Sequence, residues 1–290
     1  MKCLLVTGAR GMLATDVARE FSREFEVKAL SRTELDITRT KAVSATVARY
    51  RPEAVINCAA FTRVDDCESM KETAFEVNAR GPLNLASACN KYGALLVHVS
   101  TDYVFDGKAA TPWKEDNTCR PLNVYGESKL QGEIFIRQAF DNYIIIRTSW
   151  LFGLHGPNFI KTMLDLSQAR TELAVVDDQE GSPTYTRDLA RGIRDLMAAN
   201  ARGVFHCSNS GSCTWFDLCS FVFEKRNITD VRLKPVPTTS FPRPARRPSY
   251  SVLDNTRFAE TAGYRLRSWQ EAVTDYLQEL ERSHQSIRAS

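Results

Sequence analysis

The segment Cys3-Leu4-Leu5-Val6-Thr7-Gly8-Ala9-Arg10-Gly11-Met12-Leu13-Ala14 decides the fold. Cys3 to Thr7 is a short apolar run of strand character that breaks at Gly8. Leu13, Val17, Phe21 and Phe25 then recur every four residues, so 12–25 reads as a helix. Between them lies a G-x-x-G-x-x-A turn. Glycine at 8 permits the tight exit from the strand. Glycine at 11 lets backbone N–H groups approach a pyrophosphate at the helix N-terminus, where the dipole favours anions. A small residue at 14 lets helix and strand pack closely. A Gly-rich turn that holds no ligand is the alternative at this point.

Outward from this turn the pattern keeps alternating. Val27–Leu30, Ala54–Asn57 (introduced by Pro52), Leu95–Ser100 and Tyr143–Arg147 read as strands. Helical patterns separate them: from Thr38, with Val43, Val47 and Tyr50 on one face, then over 67–91, then from about Leu122 to Phe140. Such alternation implies right-handed crossovers and a parallel sheet covered on both faces. The expected fold class is α/β, a Rossmann-type doubly wound parallel sheet with a smaller substrate-binding lobe. Residues 1–150 form the expected dinucleotide-binding domain. Residues 185–207 return to its sheet through a helix at Thr186–Ala199 and a strand at Gly203–Cys207. Residues 151–184 and 208–290 form the expected lobe, with a helix near Phe159–Ala169, a strand at Leu173–Val176 and an amphipathic helix at Trp269–Leu280. Five prolines make Pro235–Pro248 a loop, and the last eight residues read as a frayed polar tail.

Composition narrows the function classes. Lys and Arg number 38 against 35 Asp and Glu, a surplus of +3 that argues against nucleic acid as the partner. A hydrophobic content of 43% is that of a globular chain and excludes a disordered one. The longest solid apolar runs, such as Ile144–Ile146, are too short to span a bilayer, so no membrane partner is expected. The apolar N-terminal run is too short for an export signal. The eight cysteines form no C-x-x-C and are expected as free thiols in the cytoplasm.

The strand ends carry the chemistry. The second strand ends in Ser31-Arg32, where a NAD site usually has a carboxylate. Arg32 offers attraction to a ribose 2′-phosphate instead; a solvated Arg is the alternative, and Glu34 is near enough in sequence to reach the ribose. The third strand runs into Asn57-Cys58-Ala59-Ala60-Phe61-Thr62, whose small residues leave room for a cofactor across the sheet, or for tight helix packing. Asn78, polar within a helical stretch, is placed to bond a backbone carbonyl or a buried water, or else is exposed. The fourth strand ends Ser100-Thr101-Asp102-Tyr103, putting hydroxyls and a carboxylate at the ligand-binding edge of an α/β sheet. Tyr125 and Lys129 then form Y-x-x-x-K on one helix face. A phenol with a pKa near 10 is a poor acid–base group at neutral pH, and a neighbouring ammonium lowers that pKa.

In these residues the chain resembles the extended short-chain dehydrogenase/reductase family, and within it the reductases of dTDP-linked 4-keto-6-deoxysugars. The resemblance rests on the turn at Thr7–Ala14, LDIT at Leu35–Thr38, N-x-A-A-x-T at Asn57–Thr62, STDYVFDG at Ser100–Gly107 and PLNVYGxSK at Pro121–Lys129. It continues through RTSWLFG at Arg147–Gly153, NF at Asn158–Phe159, DQxGSPT at Asp177–Thr184 and RPxxSxL at Arg247–Leu253.

The resemblance implies hydride transfer from NADPH, with NADH also accepted, to the 4-keto group of a dTDP-sugar. The expected reaction turns dTDP-4-dehydro-6-deoxy-L-mannose into dTDP-L-rhamnose. Tyr125 would protonate the C4 oxygen, Lys129 would lower its pKa and bind the nicotinamide ribose, and Thr101 would hydrogen-bond the ketone. Gly11, Met12 and Leu13 would lie under the pyrophosphate, Asp36 and Ile37 beside the adenine, and Ala59, Ala60 and Phe61 along the cofactor. With Gly8, Arg32, Tyr125 and Lys129 these complete the cofactor set. Thr101, Asp102 and Trp150 would touch the sugar nucleotide. Arg247, in a polar loop, is expected near the diphosphate because Arg is the natural bidentate partner of phosphate; a surface salt bridge is its alternative. Ala14, where relatives usually carry Gly, and Arg10, where many carry Asn, depart from the pattern at the cofactor turn. Some relatives dimerise through Mg²⁺ held by interface carboxylates. No carboxylate here matches, so no metal is assigned, and Mg²⁺ and a homodimer stay open. Two other readings remain: a ketoreductase making another deoxysugar such as dihydrostreptose, and a catalytically silent NADP-binding regulatory subunit. Retention of Thr101, Tyr125 and Lys129 speaks against silence. An epimerase or dehydratase would need a further acid, for which Asp102 is the only candidate.

Overall fold

A computed structural model describes residues 1–288. The first half alternates as β1 (Lys2–Thr7), α1 (Met12–Phe21), β2 (Phe25–Leu30), α2 (Thr40–Tyr50), β3 (Ala54–Asn57), α3 (Val64–Ser69), α4 (Lys71–Phe75), a π-helical turn (Glu76–Arg80), α5 (Gly81–Tyr92), β4 (Leu95–Thr101), α6 (Val124–Ala139) and β5 (Tyr143–Thr148). The second half runs β6 (Leu151–Phe152), α7 (Phe159–Ser167), β7 (Glu172–Val176), β8 (Glu180–Gly181), β9 (Thr184–Tyr185), α8 (Thr186–Ala198), β10 (Gly203–His206), β11 (Cys213–Thr214), α9 (Trp215–Lys225), β12 (Arg232–Val236), α10 (Thr256–Ala262) and α11 (Trp269–Arg288).

Six strands form one parallel sheet in the order β10-β5-β4-β3-β1-β2. The strands read as continuous apolar runs because both faces are covered. Leu4, Val6, Ile56, Val97 and Ile146 face α1 and α8. Leu5, Val55, Leu96 and Ile145 face the opposite layer of α2, α5 and α6. The chain leaves β1 toward β2 on one side and reaches β3 on the other. That reversal opens a crevice at the carboxyl ends of the strands, where such sheets bind ligands.

A second core gathers Phe152, Ile160, Leu173, Val175, Tyr185, α9 and the apolar stripe Trp269, Val273, Tyr276, Leu277 and Leu280 of α11. α8 and β10 return to the sheet, β10 pairing with β5. Phe258 of α10 and Leu266 also join the sheet core. The span 208–290 is therefore not one lobe; its middle packs back under the sheet.

Local expectations needed adjustment. α1 stops at Phe21, and Phe25 opens β2 instead of closing the helix. The single helical stretch expected over 67–91 is divided among α3, α4, the π turn and α5. Pro235 and Val236 lie in β12, paired in parallel with β7, so the Pro-rich loop begins after them. Proline is tolerated there because each strand of this two-stranded ribbon has a free edge. The polar end 283–290 continues α11 as far as Arg288, and its last two residues lie outside the described residues. Among the described residues no helix is long and apolar enough to cross a membrane.

Candidate active site

A cleft of about 740 Å³ crosses the carboxyl edge of the sheet. Every expected site residue lines it except Arg247. At one end lies the Gly8–Leu13 turn. Gly8 has φ +74°, and a Cβ there would meet Ala59 N at 2.9 Å, so the turn is sealed against the end of β3. Gly11 caps α1 without a side-chain acceptor, which leaves first-turn N–H groups facing the cleft. That donor set suits a pyrophosphate.

Beyond the turn, Arg32, Asp36 and Ile37 line the cleft past β2. The Glu34 carboxylate accepts Ser31 N–H at 2.8 Å and the Ser31 hydroxyl at 2.7 Å. It is tied to its own turn, whereas Arg32 is exposed beside the cleft. Asp36 accepts from the Thr38 backbone and hydroxyl at 3.0 and 2.8 Å, which shapes the approach to α2.

Asn78 is fully buried and spans the loop after β3 and α6. Its Oδ1 accepts Phe61 N–H at 2.8 Å, while Nδ2 donates to Phe61 O and to Ser128 Oγ, both at 3.0 Å. Of its alternatives, the carbonyl bond is the one formed. The π turn presses so closely on α6 that Gly132 has no room for a Cβ against Asn78 O.

α6 is positioned by its N-terminus. Asn123 Oδ1 accepts Gly126 N–H at 2.8 Å, and Glu68 Oε1 accepts Val124 N–H at 2.9 Å. This carries Tyr125 and Lys129 to the cleft wall. Tyr125 lies beside Thr101 in the cleft wall, and burial pushes its phenol well above the usual range, with Asp102 adding to the rise. Thr101 Oγ1 donates to Asp102 Oδ1 at 2.9 Å and accepts Tyr103 N–H at 3.2 Å. Asp102 is raised to about 6 by burial, and its Oδ2 is buried with no hydrogen-bond partner.

Lys129 is 2% exposed. It donates to Val99 O at 2.6 Å and lies 3.3 Å from His98 Nε2. Burial lowers it to about 8. The Lys129 nitrogen is turned toward β4.

At the far end Trp150, in a left-handed conformation at φ +47°, stacks on Trp215, with ring centroids 3.5 Å apart. Trp215, His155, Gly156 and Pro157 line the cleft without having been singled out in the sequence. The one local signal near Trp215 is Thr214-x-x-Asp217, which forms a capping box at the start of α9. Arg247 lies outside the cleft lining. Its Nη1 and Nη2 bind Asp65 Oδ1 and Oδ2 at 2.5 and 2.9 Å, and Nη1 also bonds Ala245 O. Asp65 lies on α3, and the guanidinium also interacts with Tyr103, which lines the cleft. All eight cysteines are free, and burial raises the cleft residue Cys58 to about 12, so it is no nucleophile. Among the described residues no group of three or more His, Cys, Asp and Glu could hold a metal.

Residues 1–282 match the model of the RmlD substrate binding domain family. A spore coat polysaccharide biosynthesis protein of Bacillus subtilis (strain 168) is 41% identical over 280 residues, covering 96% of this chain and 98% of its own. A dTDP-4-dehydrorhamnose reductase of Streptomyces griseus is 42% identical over 278 residues, covering 93% and 91%. A dTDP-4-dehydrorhamnose reductase of Bacillus anthracis, solved in complex with NADP, superposes with a TM-score of 0.93 at 39% identity over 96% of this chain and 100% of that one. On the match of nearly its whole length, the chain belongs to the RmlD substrate binding domain family.

Proposed function

We propose that this protein is a dTDP-4-dehydrorhamnose reductase, reducing the 4-keto group of a dTDP-linked 6-deoxyhexose with NADPH. The observation that carries the reading is the meeting of Tyr125, Thr101 and Asp102 in one cleft with the anion-binding turn of α1. The relatives' names and the NADP complex of one of them support the same reaction.

The residues fit a dinucleotide. The α1 N-terminus takes the pyrophosphate, Asp36 and Ile37 flank the adenine end, and Ala59, Ala60 and Phe61 leave a shallow wall. The cofactor supplies the hydride. This chain supplies the proton. A buried phenol stays protonated at working pH, so Tyr125 meets the substrate as an acid. As C4 accepts hydride, its oxygen takes on charge and Tyr125 O–H gives it a proton. The Thr101 hydroxyl, held by Tyr103 N–H, turns from Asp102 toward the same oxygen. The unpaired Oδ2 of Asp102 is free to accept a sugar hydroxyl. Trp150 closes the far wall. Arg247, paired with Asp65, has no part in this reading.

Arg32 beside the cleft, with Glu34 tied back, favours NADPH over NADH. Free thiols throughout suit a reducing cytoplasm. The test is to mix purified protein with dTDP-4-dehydro-6-deoxy-L-mannose and NADPH and follow the absorbance of the reduced nicotinamide. Oxidation of NADPH with formation of dTDP-L-rhamnose is expected. No oxidation with any dTDP-4-keto-6-deoxysugar would overturn the reading in favour of the silent subunit.

A further inference from the structure

His98 sits fully buried in the middle of β4, and the reduction does not explain it. Its ring is bracketed, with Asn57 Nδ2 2.9 Å from Nδ1 and Lys129 Nζ 3.3 Å from Nε2. Counting donors and acceptors assigns its proton. Asn57 Oδ1 accepts Ala59 N–H at 3.2 Å and the Thr7 hydroxyl at 2.6 Å. A backbone N–H only donates, so it marks which end of the Asn57 amide is oxygen. The other end, an NH₂ group, also only donates, and it faces His98 Nδ1. Nδ1 must accept, which leaves the ring proton on Nε2, aimed at Lys129. A neutral amine can accept that N–H; an ammonium has no lone pair with which to do so.

We propose that His98 is a positioning residue for Lys129: locked by Asn57 as the Nε2–H tautomer, it donates to the lysine nitrogen and favours its neutral form. The inference rests on the reduction above, in which the proton that Tyr125 gives to the substrate oxygen must be replaced. Lys129 is a suitable reservoir: its ammonium form gives a proton to the phenolate, the neutral amine left behind is the form that accepts from His98, and water returns a proton to it.

The other groups around the pair leave this balance in place. From α6, Glu133 favours the ammonium, but it is held by Arg147 of β5 at 2.7 Å and by Ser100 of β4 at 2.5 Å. From the end of β3, Cys58 is a neutral thiol. Tyr125, one turn earlier on α6, is a neutral phenol. His98 itself faces only Asn57 and Lys129 through its ring nitrogens among the described residues. Burial of Lys129 acts in the same direction as the His98 donor.

The chain has four histidines, so ¹⁵N-histidine spectra can assign the tautomer directly, with His98→Gln identifying the peak. A protonated Nε2 and bare Nδ1 through the neutral range are expected. A protonated Nδ1, or a doubly protonated ring, would overturn the proposal. Because no substrate is present, that failure is separate from failure of the reduction, which Tyr125→Phe tests. The second measurement is the pH profile of kcat. His98→Leu removes the donor, and Asn57→Asp turns Nε2 into an acceptor. Each should move the basic limb set by Lys129 upward by about one pH unit. A loss of kcat with the limb unmoved in both variants would mean a merely structural role and would overturn the proposal. If neither variant folds, the wild-type spectrum alone decides.

Discussion

The indole rings of Trp150 and Trp215 lie face to face, 7° from parallel. The contact joins the end of the cofactor-side sheet to the start of α9. Gly181 sits behind it: a Cβ there would come within 2.5 Å of Trp150 Cε2. β8, which holds Gly181, pairs with β11, which leads into Trp215, so the strand pairing sets the spacing of the stack. An aromatic pair contributes about 0.5–1.5 kcal/mol beyond its buried area. Trp215→Ala should therefore raise KM for the sugar nucleotide by up to about tenfold, with the NADPH dissociation constant unchanged. Gly181→Ala should act in the same direction by displacing Trp150. Steady-state kinetics with substrate varied, alongside cofactor titration by fluorescence, checks both.

Tyr125→Phe removes the proton donor while keeping the ring. Turnover should fall by about 10²–10⁴-fold, and cofactor affinity should hold. Lys129→Met should lower turnover and cofactor affinity together, because its ammonium lies between β4 and the cleft. Full activity in the Phe variant would show that the proton comes from elsewhere.

Cofactor choice should follow Arg32. A charge-assisted Arg–phosphate bond contributes about 1.5–3 kcal/mol, which corresponds to roughly a ten- to hundredfold preference for NADPH. Arg32→Ala should remove most of that ratio. Comparing kcat/KM for the two cofactors in both proteins measures it, and an unchanged ratio would mean that Arg32 points away from the ribose.

Arg247 and Asp65 strap the loop after β12 to α3. Arg247→Ala and Asp65→Ala should each lower Tm by a few degrees and leave KM for the sugar nucleotide nearly constant. A KM that rises only in the Arg247 variant would restore the diphosphate role.

Much of the fold is legible in the sequence. The G-x-x-G-x-x-A turn and the alternation of apolar runs with four-residue periodicity place β1, α1 and the parallel sheet, because these signals are local: a glycine φ, a buried strand, a helix face. The placement of Thr101, Tyr125 and Lys129 was readable for the same reason, since strand ends of such a sheet share one edge. Breaks inside an apolar helical pattern were not readable. The π turn at Glu76–Arg80 keeps its side chains in phase with the core while letting Asn78 reach Phe61 and Ser128, and nothing in the period marks it.

Local sequence, through turn chemistry and hydrophobic period, was enough to set the α/β class, the cofactor turn and the edge on which chemistry occurs. Contacts between side chains far apart in the chain needed the folded chain. Trp150 meets Trp215 through the pairing of β8 with β11, Arg247 pairs with Asp65 of α3, and His98 finds both Asn57 and Lys129. The parallel registers of β3, β4 and β5 and the tilt of α6 bring such groups together. A hydrogen bond forms only within about 3.5 Å, and that spacing depends on every packed layer between the partners.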